Sequence, residues 1–329
     1  MSDQVSSSCR KSWTVSADQN AVRLDAYVRT CLPHLSRREA EKAIKSNVFF
    51  VNGRPAKKGQ RLASGDILSF LGSDVWLAGE PVGESQLDVP IVYEDPHLLV
   101  LDKPAGMDTH GFSARHAHTL ANFLAGRRPE TSRIGRSRWE PGLAHRLDRE
   151  TSGLVLVAMT QRSFEQLRLQ FRRRAIKKKY WALAWGETDR EGSIAYPIAH
   201  DSHDKRRMSA IIHESTNDRA VKSWKALTRF RTLAVTAGVS LLEIEMETGV
   251  THQIRVHLAA IEHPIVGDTL YGGERAEDFG LKRQFLHAYH LALRHPQTGR
   301  ELVIESPLPP ELYQVLDRLG IKGEFTAQV

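Results

Sequence analysis

The chain has 329 residues, of which 41% are hydrophobic and 26% are charged. These proportions are typical of globular protein, and the length is sufficient for two domains. No apolar run reaches the roughly 18 residues of a membrane-spanning helix, and no hydrophobic segment follows the charges at the N-terminus. We therefore expect a cytoplasmic protein that does not engage a membrane. Cys9 and Cys31 are the only cysteines, which excludes a disulfide framework and a cysteine-based zinc site.

The positive charge is concentrated at the N-terminal end of the chain. The net charge is +7, and residues 1–73 contain twelve Lys and Arg against six Asp and Glu. The first fifth of the chain therefore carries six of the seven net charges. This distribution predicts a small, separate basic module, and such modules usually bind a polyanion.

Two helices are predicted in this module, after a flexible leader at residues 1–20. Apolar residues at positions 24, 28 and 32 have helical spacing. A second helix follows Ser36, which is placed to form a capping box with Glu39. The exposed faces of this second helix carry four cations, Arg37, Arg38, Lys42 and Lys45.

A β-hairpin is predicted after the two helices. Residues 48–51 and 67–70 are typical of short strands, Asn52-Gly53 predicts a type I′ turn, and a Gly-Asp turn precedes the second strand. This order of elements resembles the small RNA-binding module first known from a small-subunit ribosomal protein, over residues 21–72. The resemblance implies RNA contacts by Arg37, Arg38, Lys42, Lys45, Lys57 and Lys58. The alternative is that these cations only solvate the module's surface.

The remainder of the chain predicts an α+β domain. Residues 73–89 contain glycine and acidic residues without clear periodicity and are predicted to be a linker. The domain is assigned to residues 90–315 and a tail to residues 316–329. Strands are predicted at residues 91–93, 98–101, 154–158, 180–185 and 240–246, and helices at residues 119–124, 163–173 and 251–262. This mixture favours a mainly antiparallel mixed sheet, preceded by the small α/β module.

Asp148 is the candidate nucleophile. It lies between two arginines in the segment Ala-His-Arg-Leu-Asp-Arg-Glu-Thr-Ser-Gly at residues 144–153, immediately before an apolar strand. Neighbouring arginines favour the ionised carboxylate, and a loop at the end of a strand presents it to a ligand. On these residues alone, the segment is more typical of an ordinary polar turn than of a catalytic site.

Arg255 is the predicted partner of Asp148. Thr251 is a candidate N-cap, so Arg255 lies near the N-terminal end of its helix, where the helix dipole disfavours a cation. A nearby carboxylate would offset that cost. The alternative partner is a glutamate at the surface.

Tyr180 follows a cluster of cations at the start of a predicted strand. Cations interleaved with aromatic residues are typical of an RNA-binding path. The cations assigned to this path are Arg172, Arg173, Lys177 and Lys178. Tyr180 alone is also typical of an ordinary core aromatic.

The histidines do not indicate a metal site. His252 and His257 are five residues apart, so they do not share one helix face, and no cysteine or carboxylate completes a zinc set. We expect neither a metal nor a cofactor. We expect His145, His287 and His290 to be hydrogen-bonded structural groups or RNA contacts.

Five segments in order resemble the RluA-type pseudouridine synthase family, over residues 88–313. They are Leu-Asp-Lys-Pro-Ala-Gly-Met at 101–107, His-Arg-Leu-Asp-Arg-Glu-Thr-Ser-Gly at 145–153, Lys-Tyr-Trp-Ala-Leu-Ala-Trp-Gly at 179–186, Thr-Gly-Val-Thr-His-Gln-Ile-Arg-Val-His at 248–257 with its continuation at 263–272, and Phe-Leu-His-Ala-Tyr-His-Leu at 285–291 with His295-Pro296. The resemblance implies the pseudouridine synthase fold and an enzyme that isomerises uridine in RNA to pseudouridine without a cofactor or metal.

The resemblance also assigns roles to individual residues. Asp148 matches the catalytic aspartate, which attacks either the anomeric carbon of the ribose or carbon 6 of the uracil. Tyr180 matches the tyrosine that packs on the target base, and it is a candidate for removing the proton from carbon 5. Arg255 matches the basic residue paired with the aspartate.

The target nucleotide must leave the RNA helix to react, and the resemblance identifies residues that receive it. Arg146 matches a residue that fills the vacated space, and Leu286 matches an apolar wall of the pocket. His145 and Thr151 are also predicted to contact the substrate. Structured RNA is the expected partner of a monomeric enzyme, with large-subunit ribosomal RNA as the expected target and transfer RNA as the alternative.

The sequence departs from the family pattern at two places. Val250 stands where an arginine is usual, which removes a possible phosphate or substrate contact and puts the identity of the substrate in doubt. Asp108 and Thr109 stand where apolar residues are more usual.

Two other functions compete with this interpretation. A catalytically silent RNA-binding ribosome-assembly factor would keep the charge distribution, but it would not need Asp148, Tyr180 and Arg255 together. A nucleoside or glycoside hydrolase would also place an aspartate at an anomeric carbon, but a glycosidase generally uses two carboxylates and needs no basic RNA-binding module.

Overall fold

A computed structural model describes residues 11–73, 76–113, 115–212, 222–273 and 278–323. The chain divides into two compact units. The first comprises the chain up to Val82 together with Gly111–Ala117, and the second comprises Gly83–His110 and the chain from His118 onward. The first ten residues of the expected leader and the last six of the expected tail lie outside the described residues.

The first unit is a small α/β module. Its elements are β1 (Lys11–Thr14), α1 (Leu24–Cys31), α2 (Arg37–Lys45), β2 (Phe49–Val51), β3 (Arg54–Pro55) and β4 (Ile67–Phe70). The four strands form an antiparallel sheet in the order β1-β4-β2-β3. The apolar faces of both helices are buried in one core with this sheet.

Local sequence signals account for the boundaries in this unit. The predicted capping box begins α2, because Ser36 Oγ accepts a hydrogen bond from Glu39 N and Glu39 Oε2 accepts one from Ser36 N. Asn52 and Gly53 have φ values of 50° and 76°, the left-handed conformation that a type I′ turn requires. Both predictions are therefore confirmed.

The predictions of a flexible leader at residues 1–20 and of a linker at residues 73–89 are each wrong over part of their length. β1 lies inside the predicted leader, pairs along its whole length with β4, and is followed by the buried Val15. Trp76, inside the predicted linker, is buried in the core of the first unit, and Val89 is buried in the core of the second. These segments have no periodic pattern, because their order comes from pairing and packing with residues distant in sequence.

The second unit contains the remaining strands and helices. The strands are β5 (Ile91–Glu94), β6 (Leu98–Lys103), β7 (Ser152–Ala158), β8 (Lys177–Trp185), β9 (Glu191–Ile194), β10 (Ile198–His200), β11 (Met208–Ala210), β12 (Ser223–Trp224), β13 (Thr228–Thr236), β14 (Val239–Met246), β15 (Leu286–Arg294) and β16 (Glu301–Glu305). The α-helices are α3 (Leu120–Arg127), α4 (Gln161–Arg172), α5 (Gln253–Ala260) and α6 (Pro310–Arg318). The last helix crosses the predicted start of the tail and buries Leu316, so the expected tail is wrong up to the end of α6.

Nine strands form the main sheet of this unit. Their order is β5-β6-β7-β15-β8-β14-β13-β9, with β16 paired to β15. Only β7 and β15 are parallel among the described pairs, which confirms the mainly antiparallel mixed sheet and the α+β class. A second, three-stranded sheet has the order β11-β10-β12.

The segment that carries Asp148 leads into the centre of the main sheet. Residues of β7 are all buried, as their apolar sequence predicts, and β15 lies between β7 and β8. Gly153 has a φ of 119°, and a Cβ at this position would lie 2.3 Å from the carbonyl oxygen of Ala288. Only glycine permits this close approach of β15 to the strand that follows the Asp148 turn. Within the described residues, no helix is long and apolar enough to cross a bilayer.

Candidate active site

A cavity of about 530 Å³ lies in the second unit, next to the start of β7. It brings together side chains from four separate segments of the chain. These are Asp148, Tyr180, Arg255 and Leu286, with Arg146 and Thr151 also in its lining. The residues that the motifs single out for catalysis therefore share one site.

Asp148 presents its carboxylate to this cavity from a tight turn. The turn is closed by a hydrogen bond from Thr151 N to the carbonyl oxygen of Asp148, at 3.1 Å. The side chain of Asp148 is half-buried, and its Oδ2 accepts a hydrogen bond from Arg255 Nη1 at 3.1 Å. None of the described residues donates a hydrogen bond to Oδ1. One carboxylate oxygen is thus held in place, and the other is available to react.

Thr109 holds the backbone just before Asp148. Its buried hydroxyl donates to the carbonyl oxygen of Leu147 at 2.8 Å and accepts from the Leu147 N–H at 3.1 Å. Asp108 forms an ion pair with Arg149, on the other side of Asp148, at 3.1 Å. Asp108 and Thr109, two of the three residues that depart from the family pattern, therefore hold the turn that carries Asp148, a role that the sequence analysis did not assign to them.

Lys103 ties the same turn to the preceding motif. Its buried Nζ donates to the carbonyl oxygens of Pro104, Met107 and Arg149, at 2.8, 2.8 and 3.0 Å. Burial lowers the pKa of Lys103 to about 7, while the charge of Asp148 acts in the opposite direction. Three carbonyl acceptors match the three donors of an ammonium group, so Lys103 fixes the loop geometry around the carboxylate.

Arg255 is anchored by a carboxylate that the sequence analysis missed. Its Nε and Nη2 donate to Asp268 Oδ2 and Oδ1 at 2.7 and 2.8 Å, and Asp268 is completely buried. The third nitrogen, Nη1, is the one that reaches Asp148. The predicted pairing of Arg255 with Asp148 is present, but the bidentate partner is Asp268.

The charge of Arg255 is secured by these two carboxylates. Burial would lower the pKa of the guanidinium, but the hydrogen bonds and charge of Asp268, together with Asp148, raise it above its ordinary value. Asp268 Oδ1 also accepts from the N–H groups of Leu270 and Tyr271, which closes a turn around the carboxylate. A fixed, permanently charged donor therefore faces Asp148.

Tyr180 and Leu286 form the apolar side of the cavity. Both are buried, on the adjacent strands β8 and β15. Burial and the negative charge of Asp148 raise the pKa of Tyr180 above its ordinary value. The phenol therefore stays neutral, which suits a surface that packs on a base better than it suits a group that accepts a proton.

The other predicted substrate contacts differ in accessibility. Arg146 is exposed and lines the cavity, so its guanidinium is available to RNA. Thr151 is buried, and its hydroxyl accepts from Gln284 Nε2 at 3.1 Å. His145 Nε2 accepts from the N–H of Leu156 at 3.0 Å, and burial lowers its pKa to about 3. Both residues line the cavity, and both side chains are already engaged in hydrogen bonds within the protein.

The predicted RNA-binding cations fall into three groups. Arg37 and Lys58 form ion pairs with Glu41, at 3.4 and 3.2 Å. Within the part of the chain that the structure describes, the remaining exposed cations of this set form no ion pair; they are Arg38, Lys42, Lys45, Lys57, Arg172, Arg173 and Lys177. Lys178 is different, because it is buried in the cavity wall and donates to the carbonyl oxygen of Thr248 at 3.3 Å. Its side chain lines the cavity, whereas its neighbour Lys177 takes the outer position, because side chains alternate at the start of β8.

The start of α5 differs from the expectation. Thr251 is not the N-cap; His252 occupies that position, with a φ of 58°. Val250 packs beside Met208 and Val256 in a small apolar cluster. The valine that replaces the usual arginine therefore contributes to packing next to the cavity.

The chain is similar to known proteins along most of its length. The family model for RNA pseudouridylate synthase matches residues 97–260, and the S4 domain model matches residues 22–68. A ribosomal large subunit pseudouridine synthase D from Neisseria meningitidis is 33% identical over 94% of this chain and 82% of its own length. An RNA pseudouridine synthase described as uncharacterized, from Chloroflexus aurantiacus, is 37% identical over 93% of each chain.

A solved structure shares the fold. Human RNA pseudouridylate synthase domain containing 4 superposes with a TM-score of 0.54 and 27% identity, covering 71% of this chain and 94% of the human one. The motifs, the cavity and these relatives agree. The chain therefore belongs to the RNA pseudouridylate synthase family, with an S4 domain preceding its catalytic domain.

Proposed function

We propose that Asp148 is the nucleophile of an isomerisation that converts uridine in structured RNA to pseudouridine. The observation that carries this proposal is the asymmetric environment of the carboxylate. Asp148 lines the cavity; Arg255 holds its Oδ2, whereas Oδ1 accepts no hydrogen bond from the described residues. An ionised carboxylate with one unengaged oxygen is suited to covalent catalysis.

The reaction balances without a redox step. Oδ1 forms a bond either to the anomeric carbon of the ribose or to carbon 6 of the uracil, and the nitrogen–carbon glycosidic bond breaks. The uracil then turns, carbon 5 bonds to the anomeric carbon, the bond to Asp148 breaks, and the proton on carbon 5 is lost while nitrogen 1 gains one. Both routes leave the mass of the nucleotide unchanged.

Tyr180, Leu286 and Arg146 receive the flipped nucleotide. The buried ring of Tyr180 and the Leu286 side chain provide an apolar surface for the uracil. The Arg146 side chain is proposed to fill the gap that the nucleotide leaves in the RNA helix, which its exposure at the cavity supports. Excluding water around the uracil also favours its reattachment over its loss.

The proposed RNA target is large-subunit ribosomal RNA, because a relative matched over nearly the whole chain carries that substrate in its name. The S4 domain is proposed to bind the RNA backbone through Arg38, Lys42 and Lys45 on α2. The enzyme is proposed to act as a monomer in the cytoplasm. Transfer RNA is the second candidate substrate.

The test maps pseudouridines in all stable RNAs of cells that lack the protein. Complementation with the wild-type gene should restore the missing sites in large-subunit ribosomal RNA, and complementation with Asp148→Asn should not. Missing sites in transfer RNA alone would overturn the ribosomal target. Restoration by the Asp148→Asn gene would overturn the role of Asp148.

A further inference from the structure

His252 adopts a left-handed backbone conformation at the edge of the cavity. It is the N-cap of α5, with φ 58° and ψ 18°, a region that histidine, asparagine and aspartate enter more readily than other non-glycine residues. Its half-buried imidazole belongs to the cavity lining.

The hydrogen bonds around His252 define which of its nitrogens carries the proton. Tyr271 Oη accepts a hydrogen bond from Met208 N at 2.8 Å and lies 2.9 Å from His252 Nδ1. Burial raises the pKa of Tyr271, so the phenol keeps its proton, and His252 Nδ1 is the only acceptor for it among the described residues. Burial also lowers the pKa of His252, which favours the neutral ring. With Nδ1 accepting, the proton of the neutral imidazole lies on Nε2.

Nε2 points towards the nucleophile. It lies 4.0 Å from Asp148 Oδ2, the same oxygen that Arg255 contacts. Tyr271 supports both neighbours of that oxygen, because the Arg255 guanidinium lies 5.1 Å from the centre of its ring and the His252 ring packs edge-on against it. The turn at Asp268 connects Tyr271 to the buried anchor of Arg255.

We propose that His252 is a positioning residue of the isomerisation: its Nε2–H, fixed by Tyr271, donates to Asp148 Oδ2 when RNA is bound and directs Oδ1 at the substrate. This inference rests on the proposed role of Asp148 as nucleophile. A contraction of about 1 Å brings Nε2 and Oδ2 to hydrogen-bonding distance. Two donors on one oxygen then fix the rotation of the carboxylate, and misplacement of a reacting atom by about 1 Å costs roughly 100-fold in rate.

The first test determines the tautomer without measuring activity. Full-length protein labelled with ¹⁵N-histidine is examined by long-range ¹H–¹⁵N NMR, and the His252 signals are identified by their loss in His252→Asn. The proposal requires a protonated Nε2 and an unprotonated Nδ1, and it requires this pattern to weaken in Tyr271→Phe. A protonated Nδ1 in the wild-type protein would overturn it.

The second test measures the single-turnover rate at saturating RNA. Asparagine tolerates the left-handed conformation, so His252→Asn removes the imidazole while preserving the backbone. The rate should fall roughly 10- to 100-fold with unchanged RNA affinity. Tyr271→Phe should lower the rate in the same direction, and the double variant should be no slower than His252→Asn. Independent, multiplicative losses would overturn the proposed support of His252 by Tyr271.

A matched control separates the loss of the His252 imidazole from the effect of substituting a residue in the left-handed conformation. His118 has the same φ of 58°, is largely exposed, and is outside the described lining of the cavity. His118→Asn should therefore retain the wild-type rate. If His252→Asn also retains it while Asp148→Asn is inactive, the role of His252 is refuted and that of Asp148 stands. An active Asp148→Asn variant would instead refute the nucleophile assignment itself.

Discussion

The stability of the active site should depend on Asp268 far more than on Asp148. Both carboxylates contact Arg255, but Asp268 is completely buried and binds two of its nitrogens, whereas Asp148 is half-buried and binds one. Asp268→Asn keeps the shape of the side chain and removes its charge. Asp148→Asn makes the same chemical change at the other end of the guanidinium, so the two variants form a matched pair.

The expected magnitudes follow from these contacts. Removing one partner of a buried ion pair leaves the other charge uncompensated, at a cost of about 3–5 kcal/mol. Asp268→Asn should therefore lower the free energy of unfolding by about 3 kcal/mol or more, which corresponds to a fall in Tm of roughly 6–12 °C for a domain of this size. Asp148→Asn leaves that bidentate pair intact, so it should change stability by about 1 kcal/mol or less.

Urea unfolding followed by circular dichroism, together with thermal unfolding, measures both variants under the same conditions. Arg255→Ala serves as the third variant and should resemble Asp268→Asn, because it also leaves one buried charge without its partner. Equal losses for Asp268→Asn and Asp148→Asn would refute the conclusion that Asp268 is the structural partner. A loss below about 1 kcal/mol for Asp268→Asn would refute the energetic argument for a buried ion pair.

Three further outcomes are expected. Thr109→Val removes both hydrogen bonds to Leu147, so it should lower stability by about 1–3 kcal/mol and slow single turnover. Thr109→Ser should restore both stability and turnover. Normal turnover in the valine variant would contradict the role of Thr109 in holding the turn. Replacing Arg38, Lys42 and Lys45 by glutamine should reduce the salt dependence of RNA affinity, measured by titration at several salt concentrations. The same change at Arg37 and Lys58, which already form ion pairs, should reduce it less. An unchanged salt dependence in the triple variant would exclude α2 as an RNA contact. Burial lowers the pKa of His287 to about 3 from an ordinary value of 6.5, so the unfolded chain binds more protons and stability falls as pH falls through this interval. His287→Gln should reduce the slope of unfolding free energy against pH by about 1.4 kcal/mol per pH unit between about pH 4 and 6. An identical slope for the variant in urea unfolding would contradict the buried neutral ring.

The elements with local signals were predictable from the sequence. The capping box at Ser36 fixes the start of α2, the Asn52-Gly53 pair fixes a hairpin, and the apolar run before Ala158 identifies a buried strand. The pairing of Arg255 with Asp148 is present as well, but the helix-dipole argument left a surface glutamate open as the partner, and the family resemblance selected Asp148.

The parts of the site that the sequence did not predict depend on contacts between residues distant in sequence. Asp268 and Tyr271 lie in a motif that the sequence analysis quoted without assigning them a role, because nothing in their local pattern shows that they meet Arg255 and His252. Thr109 was noted only as a departure from the family pattern. Its function appears once the fold places its hydroxyl between the N–H and carbonyl groups of Leu147.

The burial of Lys178 could not be predicted, because charge composition does not specify which side of a strand a residue occupies. Three consecutive lysines suggest a basic surface. Side chains at the start of β8 alternate between its two faces, however, so the middle lysine, Lys178, is buried. Burial lowers the pKa of Lys178 to about 8, a change that no count of charges predicts.

The most direct test of the central claim is single-turnover product analysis with purified wild-type protein and Asp148→Asn on large-subunit ribosomal RNA. The wild-type protein should convert uridine to pseudouridine of unchanged mass, and the variant should bind the RNA with similar affinity and form none. Pseudouridine formation by the variant, or release of free uracil by the wild-type protein, would contradict the account.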